Sequence, residues 1–109
     1  MAYDELLADR IRGVLGDEMG VSEKKMFGGI AFMINGNMAV GVSGNELMLR
    51  VGLEAMDELL DIDGVRPFDK TGRPMNGWVL VEASETAEDA QLSSWIDIGV
   101  SVAASLPPK

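Results

Sequence analysis

Apolar residues recur at every second position through Lys24–Val51 (KKMFGGIAFMINGNMAVGVSGNELMLRV). They run Ile30, Phe32, Ile34, then Met38, Val40, Val42, then Leu47, Leu49, Val51. A two-residue period marks half-buried β-strands, whose successive side chains point to opposite faces. Asn35-Gly36 and Gly44-Asn45 interrupt the pattern where turns fit, so the stretch reads as three consecutive antiparallel strands. Register follows from face matching, because a one-residue slip sends every side chain to the wrong face. A two-residue Gly44-Asn45 loop, with Gly first as in a type II′ turn, sets Val42 opposite Leu47 and Val40 opposite Leu49. A two-residue Asn35-Gly36 loop would set Phe32 opposite Ala39 and Ile30 opposite Gly41, and the large residues would miss each other. The expected form is therefore a three-residue loop, Ile34-Asn35-Gly36, bulged at Gly36, with Phe32 against Met38 and Ile30 against Val40.

The flanking segments carry helical spacing. In residues 2–16, Tyr3, Leu7, Ile11 and Val14, joined by Leu6 and Leu15, form one apolar stripe that stops at Gly16. Residues 52–60 predict a shorter helix with Met56, Leu59 and Leu60 on one side, followed by the turn Asp61-Ile62-Asp63-Gly64. Val65–Phe68 and Trp78–Ala83 read as two further strands around the loop DKTGRPMNG. Pro67 limits the first to a short or edge position, and in the second Val79 and Val81 face away from Trp78 and Leu80. Thr86-Ala87-Glu88-Asp89 has the spacing of a helix cap with acids in the first turn. Leu92, Trp95, Ile96, Gly99, Ala103 and Leu106 then follow at three-and-four spacing until Pro107-Pro108. The predicted fold is α+β, a two-layer sandwich with helices on one face of an antiparallel sheet, in the order α-β-β-β-α-β-β-α over a single domain, residues 1–109.

The other face of the three strands is unusual. It carries Gly29, Ala31 and Met33, then Ala39, Gly41 and Ser43, then Glu46, Met48 and Arg50. A solvated sheet face alternates toward polar residues, whereas this one is small and apolar with two methionines. It reads either as a second core layer or a plain surface, or as a partner or self-association face built from Ala31, Met33, Ala39, Gly41 and Met48.

Composition narrows the function classes. Length and apolar content suit one globular domain of 109 residues. No apolar run approaches the roughly 18–20 residues of a membrane helix, and the acidic start lacks the pattern of a signal peptide. Without cysteine there is no disulfide framework or thiolate site, so the expected location is cytoplasmic. The net charge of −9 lies mainly in the terminal helices: two Arg face six acids in residues 1–23, and one Lys faces five in 82–109. That balance disfavours a grip on a phosphate backbone.

Candidate chemistry is sparse. With no His there is no imidazole base, no Ser-His pair and no His-ligated metal. Asp61-Ile62-Asp63-Gly64 resembles a fragment of a calcium loop but lacks its third acid and closing glutamate. The glycines of Phe27-Gly28-Gly29 and Gly41–Gly44 sit within strands, where close packing explains them better than phosphate binding. No catalytic, cofactor-binding or metal-ligating residue is assigned, and no cofactor is expected. The basic residues Lys24, Lys25, Arg50 and Arg73, with Arg66 and Lys70 nearby, form a candidate patch for an anion or acidic partner; Arg50 shares the off-core face with Lys25 by parity.

Lys24–Gly29 (KKMFGG), Asn35–Val42 (NGNMAVGV) and the Leu-x-x-Arg-Val run ending at Val51 resemble the amino-terminal domain family of TfoX/Sxy, the bacterial competence regulators. Thr71–Trp78 (TGRPMNGW), Trp95 and the SLPPK ending resemble its small stand-alone members. The resemblance implies helices on one side of an antiparallel sheet. In full-length relatives this domain precedes a helical carboxy-terminal domain, and the protein promotes expression of DNA-uptake genes alongside another transcription factor. A chain ending at Lys109 is expected to act without that second domain. The expected function is a non-enzymatic interaction or regulatory module, with a protein partner or itself as a homodimer. The alternatives are nucleic-acid or transcription-complex binding through the basic patch, and a small-molecule or enzyme role using carboxylates and Lys/Arg.

Overall fold

The alternating stretch forms an antiparallel meander in a computed structural model of the chain, which describes residues 4–16, 20–26, 29–68 and 77–107. Its strands are β1 (Val21–Met26), β2 (Gly29–Ile34), β3 (Asn37–Ser43) and β4 (Glu46–Arg50). Two more follow, β5 (Val65–Pro67) and β6 (Trp78–Val81), giving a sheet of order β1-β2-β3-β4-β6-β5. Helices α1 (Glu5–Leu15), α2 (Leu53–Leu60) and α3 (Asp89–Ala104) lie against one face. The α+β class and the order of the predicted elements hold, with β1 as one additional strand ahead of the meander. β1 escapes detection because its sequence, VSEKKM, lies on a sheet edge with Ser22, Glu23, Lys24 and Lys25 all exposed. No helix among the described residues is long and apolar enough to cross a membrane.

The second hairpin has the expected register: Val42 pairs with Leu47 and Val40 with Leu49. Gly44 opens its two-residue loop at a φ of +61°. The first hairpin corrects the expectation. Asn35 and Gly36 form a two-residue turn, both at positive φ, with Ile34 opposite Asn37. The bulge lies inside the ladder, where Met33 pairs with Met38 but Phe32 pairs with Val40, leaving Ala39 as the extra residue. Large residues still meet, Phe32 with Val40 and Ile30 with Val42. The bulge also turns Ala39 into the helix-side core, although simple alternation put it on the other face.

That core is built from the β2–β4 and β6 residues facing α3, where Leu92, Ile96, Gly99 and Ala103 are buried, and α1, where Leu7, Ala8, Ile11 and Leu15 are buried. Leu6, counted in the predicted stripe, points to solvent; Tyr3 lies outside the described residues. Asp4 caps α1, its carboxylate accepting from Leu6 N–H at 3.0 Å and Leu7 N–H at 3.2 Å. The cap of α3 is Glu88 rather than Thr86, in a reciprocal box with Gln91. Thr86 is instead buried, its hydroxyl donating to the Ala83 carbonyl at 3.2 Å. Near the C-terminus, buried Asn37 donates its amide to the Pro107 carbonyl at 2.9 Å.

Candidate interaction face

Cross-strand pairing places Lys24, Ala31, Gly41, Met48, Leu80 and Arg66 in one row across the sheet face away from the helices. The neighbouring row brings Met33 beside Met38 and Arg50 beside Trp78. A second, smaller hydrophobic cluster forms here from Met48, Phe68 and Trp78, with Met38 and Leu80 partly buried against it. Its floor is tight. A Cβ at Gly41 would stand 2.6 Å from the Met48 methyl and 2.6 Å from the Ile30 carbonyl oxygen, so only glycine lets the Met48 side chain lie over β3.

This geometry settles what the odd face is made of. Ala31, Gly41 and Met48 are buried within the domain, and Ala39 is buried on the opposite side. Of the five residues read as a self-association face, only Met33 keeps partial exposure. The accessible rim is Met33, Met38 and Leu80, all half-buried. Trp78, Phe68 and Leu80 were not among the candidates, because their place on this face depends on β6 pairing with β4, a neighbour distant in sequence.

Arg50 is held at the cluster's edge. Its guanidinium lies 5.2 Å from the centre of the Trp78 ring and donates from Nη1 to the Met38 carbonyl at 3.2 Å. The basic candidates do not converge. Lys24 shares the face of Arg50 but stands on β1, three strand spacings or roughly 14 Å away across the sheet. Lys25 pairs with Ile30 and so has helix-side parity, correcting its expected place beside Arg50. Arg73 and Lys70 lie outside the described residues, as do Phe27-Gly28 and Thr71–Asn76.

The remaining described arginines are bound to carboxylates. Arg10 reaches Asp89 at 3.2 Å, linking α1 to α3. Arg66 pairs with Glu46 over the end of β6, and this hydrogen bonding raises the Arg66 pKa. A cleft of about 370 Å³ opens beside that pair, lined by Asn45, Glu46, Arg66, Glu82, Ala83 and Ser84. Arg12 grips Glu23 with two bonds of 2.9 and 2.8 Å, tying α1 to the edge strand β1. Among the described residues no group of three or more Asp or Glu gathers as a metal site would require.

The Arg12 hydrogen bonds hold the Glu23 carboxyl below its ordinary value near 4.5. A depressed folded-state pKa stabilises the fold above the unfolded value, and the contribution is lost as pH falls through the folded value. Both side chains are about 40% exposed, at 40% and 38%, so solvent screens the pair. Glu23→Gln is expected to lower stability by about 0.2–1 kcal/mol at neutral pH. In urea unfolding from pH 7 downward, the gap from wild type should close as Glu23 becomes protonated; a gap that stays constant with pH would show that charge is not its source.

The family model described as TfoX N-terminal domain matches residues 14–103 of the chain, from the last turn of α1 to the last turn of α3. Searches among curated proteins and among solved structures give no match.

Proposed function

Because this chain belongs to the TfoX N-terminal domain family, we propose that it is a cytoplasmic, non-enzymatic interaction and regulatory module that engages a protein partner through the helix-free face of its sheet. The observation that carries this reading is the second hydrophobic cluster. A sheet face that only meets water presents polar side chains, whereas this one surrounds a floor of Met48, Phe68 and Trp78 with half-exposed Met33, Met38 and Leu80. Methionine adapts its shape to a partner, and aromatic residues, Met and Arg are the types enriched at protein interfaces. The non-enzymatic part rests on a sequence without His or Cys and on arginines mostly committed to surface ion pairs. The regulatory part rests on family membership. Dispersal of Lys24, Lys25 and Arg50 gives the nucleic-acid alternative no geometric support.

The test is a pair of variants on the accessible rim, Met33→Glu and Leu80→Glu, compared with wild type in affinity capture and light scattering. A captured protein lost by both folded variants supports the module. A doubled mass that both variants return to monomer identifies the partner as a second copy, contacting through the rim. Wild-type behaviour in both assays for both variants would remove this face from the function.

A further inference from the structure

We propose that Arg50 is the anchor for a carboxylate of the partner, so that the helix-free face receives an acidic segment carrying apolar neighbours. This rests on the interaction-module reading and gives its partner a chemistry. Among the described residues, Arg10, Arg12 and Arg66 each pair with an Asp or Glu, and Arg50 alone of the arginines has no carboxylate partner. That is unexpected in a chain with 18 acids and 9 basic residues. Arg50 is nevertheless half-buried and oriented, stacked 5.2 Å from Trp78 with Nη1 donating to the Met38 carbonyl. A guanidinium has five N–H donors, and one backbone carbonyl uses only part of them. Among the described residues no buried side-chain nitrogen lacks a partner, so the remaining Arg50 donors, Nε and Nη2, reach the surface.

An oriented guanidinium with open donors presents the planar fork that a carboxylate accepts in bidentate fashion, and little ordering remains to be done on binding. The half-exposed Met38 and Leu80 beside it provide the apolar contact for residues next to that carboxylate. A phosphate backbone fits less well. It is gripped by several cations at once, and of the other described cations on this face Lys24 stands on the far edge strand while Arg66 is already paired with Glu46.

A random dodecapeptide library displayed on phage, selected against the whole domain, tests the chemistry without a known partner. The expected result is enrichment of peptides with Asp or Glu beside an apolar residue. A synthetic peptide of the enriched sequence should shift the Trp78 indole N–H resonance. It should bind Arg50→Met and Arg50→Lys about tenfold or more weakly. Arg50→Lys keeps the charge and the apolar stem, so it holds the test open if Arg50→Met fails to fold. No enrichment, enrichment without acids, or equal binding by a folded Arg50 variant would overturn the proposal. A stronger response of the Trp78 resonance to an octathymidylate than to the peptide would overturn it in favour of phosphate. Peptides lost on Met33→Glu and Leu80→Glu yet kept by the Arg50 variants would leave the interaction face standing and remove its anchor.

Discussion

Replacing Phe32 with alanine is expected to remove about 3–5 kcal/mol of folding stability, the cost of deleting a large buried aromatic and leaving a cavity. Phe32 has no exposed surface and lies in the helix-side core on β2, opposite Val40. The Arg12 guanidinium stands 5.8 Å from its ring centre, so the same side chain fills the core beneath the α1–β1 ion pair. Against the roughly 5–15 kcal/mol total of an ordinary domain, this loss is a large fraction. Urea unfolding checks it: the midpoint should fall with little change in slope. A loss below about 1 kcal/mol would mean that α1 and α3 collapse onto the vacated space, contrary to a rigidly packed core.

The second large effect comes from a glycine in a helix. Gly99→Ala is expected to destabilise by about 1–3 kcal/mol, although alanine is the better helix former. A Cβ there would stand 2.5 Å from the Ala39 carbonyl oxygen and 2.9 Å from Leu49 Cδ1. The carbonyl is backbone at the β3 bulge, so α3 has to lift from the sheet to make room. Gly13 in α1 supplies the control, since a Cβ there meets nothing within 4 Å. Gly13→Ala is expected to stabilise by about 0.5–1 kcal/mol through helix propensity alone. Opposite signs for one substitution in two helices would identify close approach as the cause; two stabilising changes would show that α3 has slack above the bulge.

These cases show which parts of the molecule can be read from residues. The β3–β4 register was legible because Gly44 marks the turn and alternation then fixes both strands. Face matching also required a bulge in the first hairpin, but parity cannot say where along the ladder it falls. The structure puts it at Ala39, and that changes the face of one residue in the expected association surface. Val21–Met26 gave no strand signal because an exposed edge imposes no alternation. The cluster around Trp78 was half legible. Alternation separates Trp78 and Leu80 from Val79 and Val81, as in the structure, but their juxtaposition with Met48 and Arg50 follows from strand order, which local sequence does not encode.

The Asn37–Pro107 bond has a consequence for synthesis. Its partners are 70 residues apart, whereas β1 to β4 pair with sequence neighbours through short turns. During translation the meander can therefore form from local contacts before α3 has emerged. The Asn37 amide, only 2% exposed in the finished domain, acquires this acceptor only after Pro107 has cleared the ribosome. Desolvating such a group without its partner costs about 1–3 kcal/mol, so the nascent meander keeps that corner wet and unclosed. Pro107 thus acts as a late-arriving latch on the first hairpin.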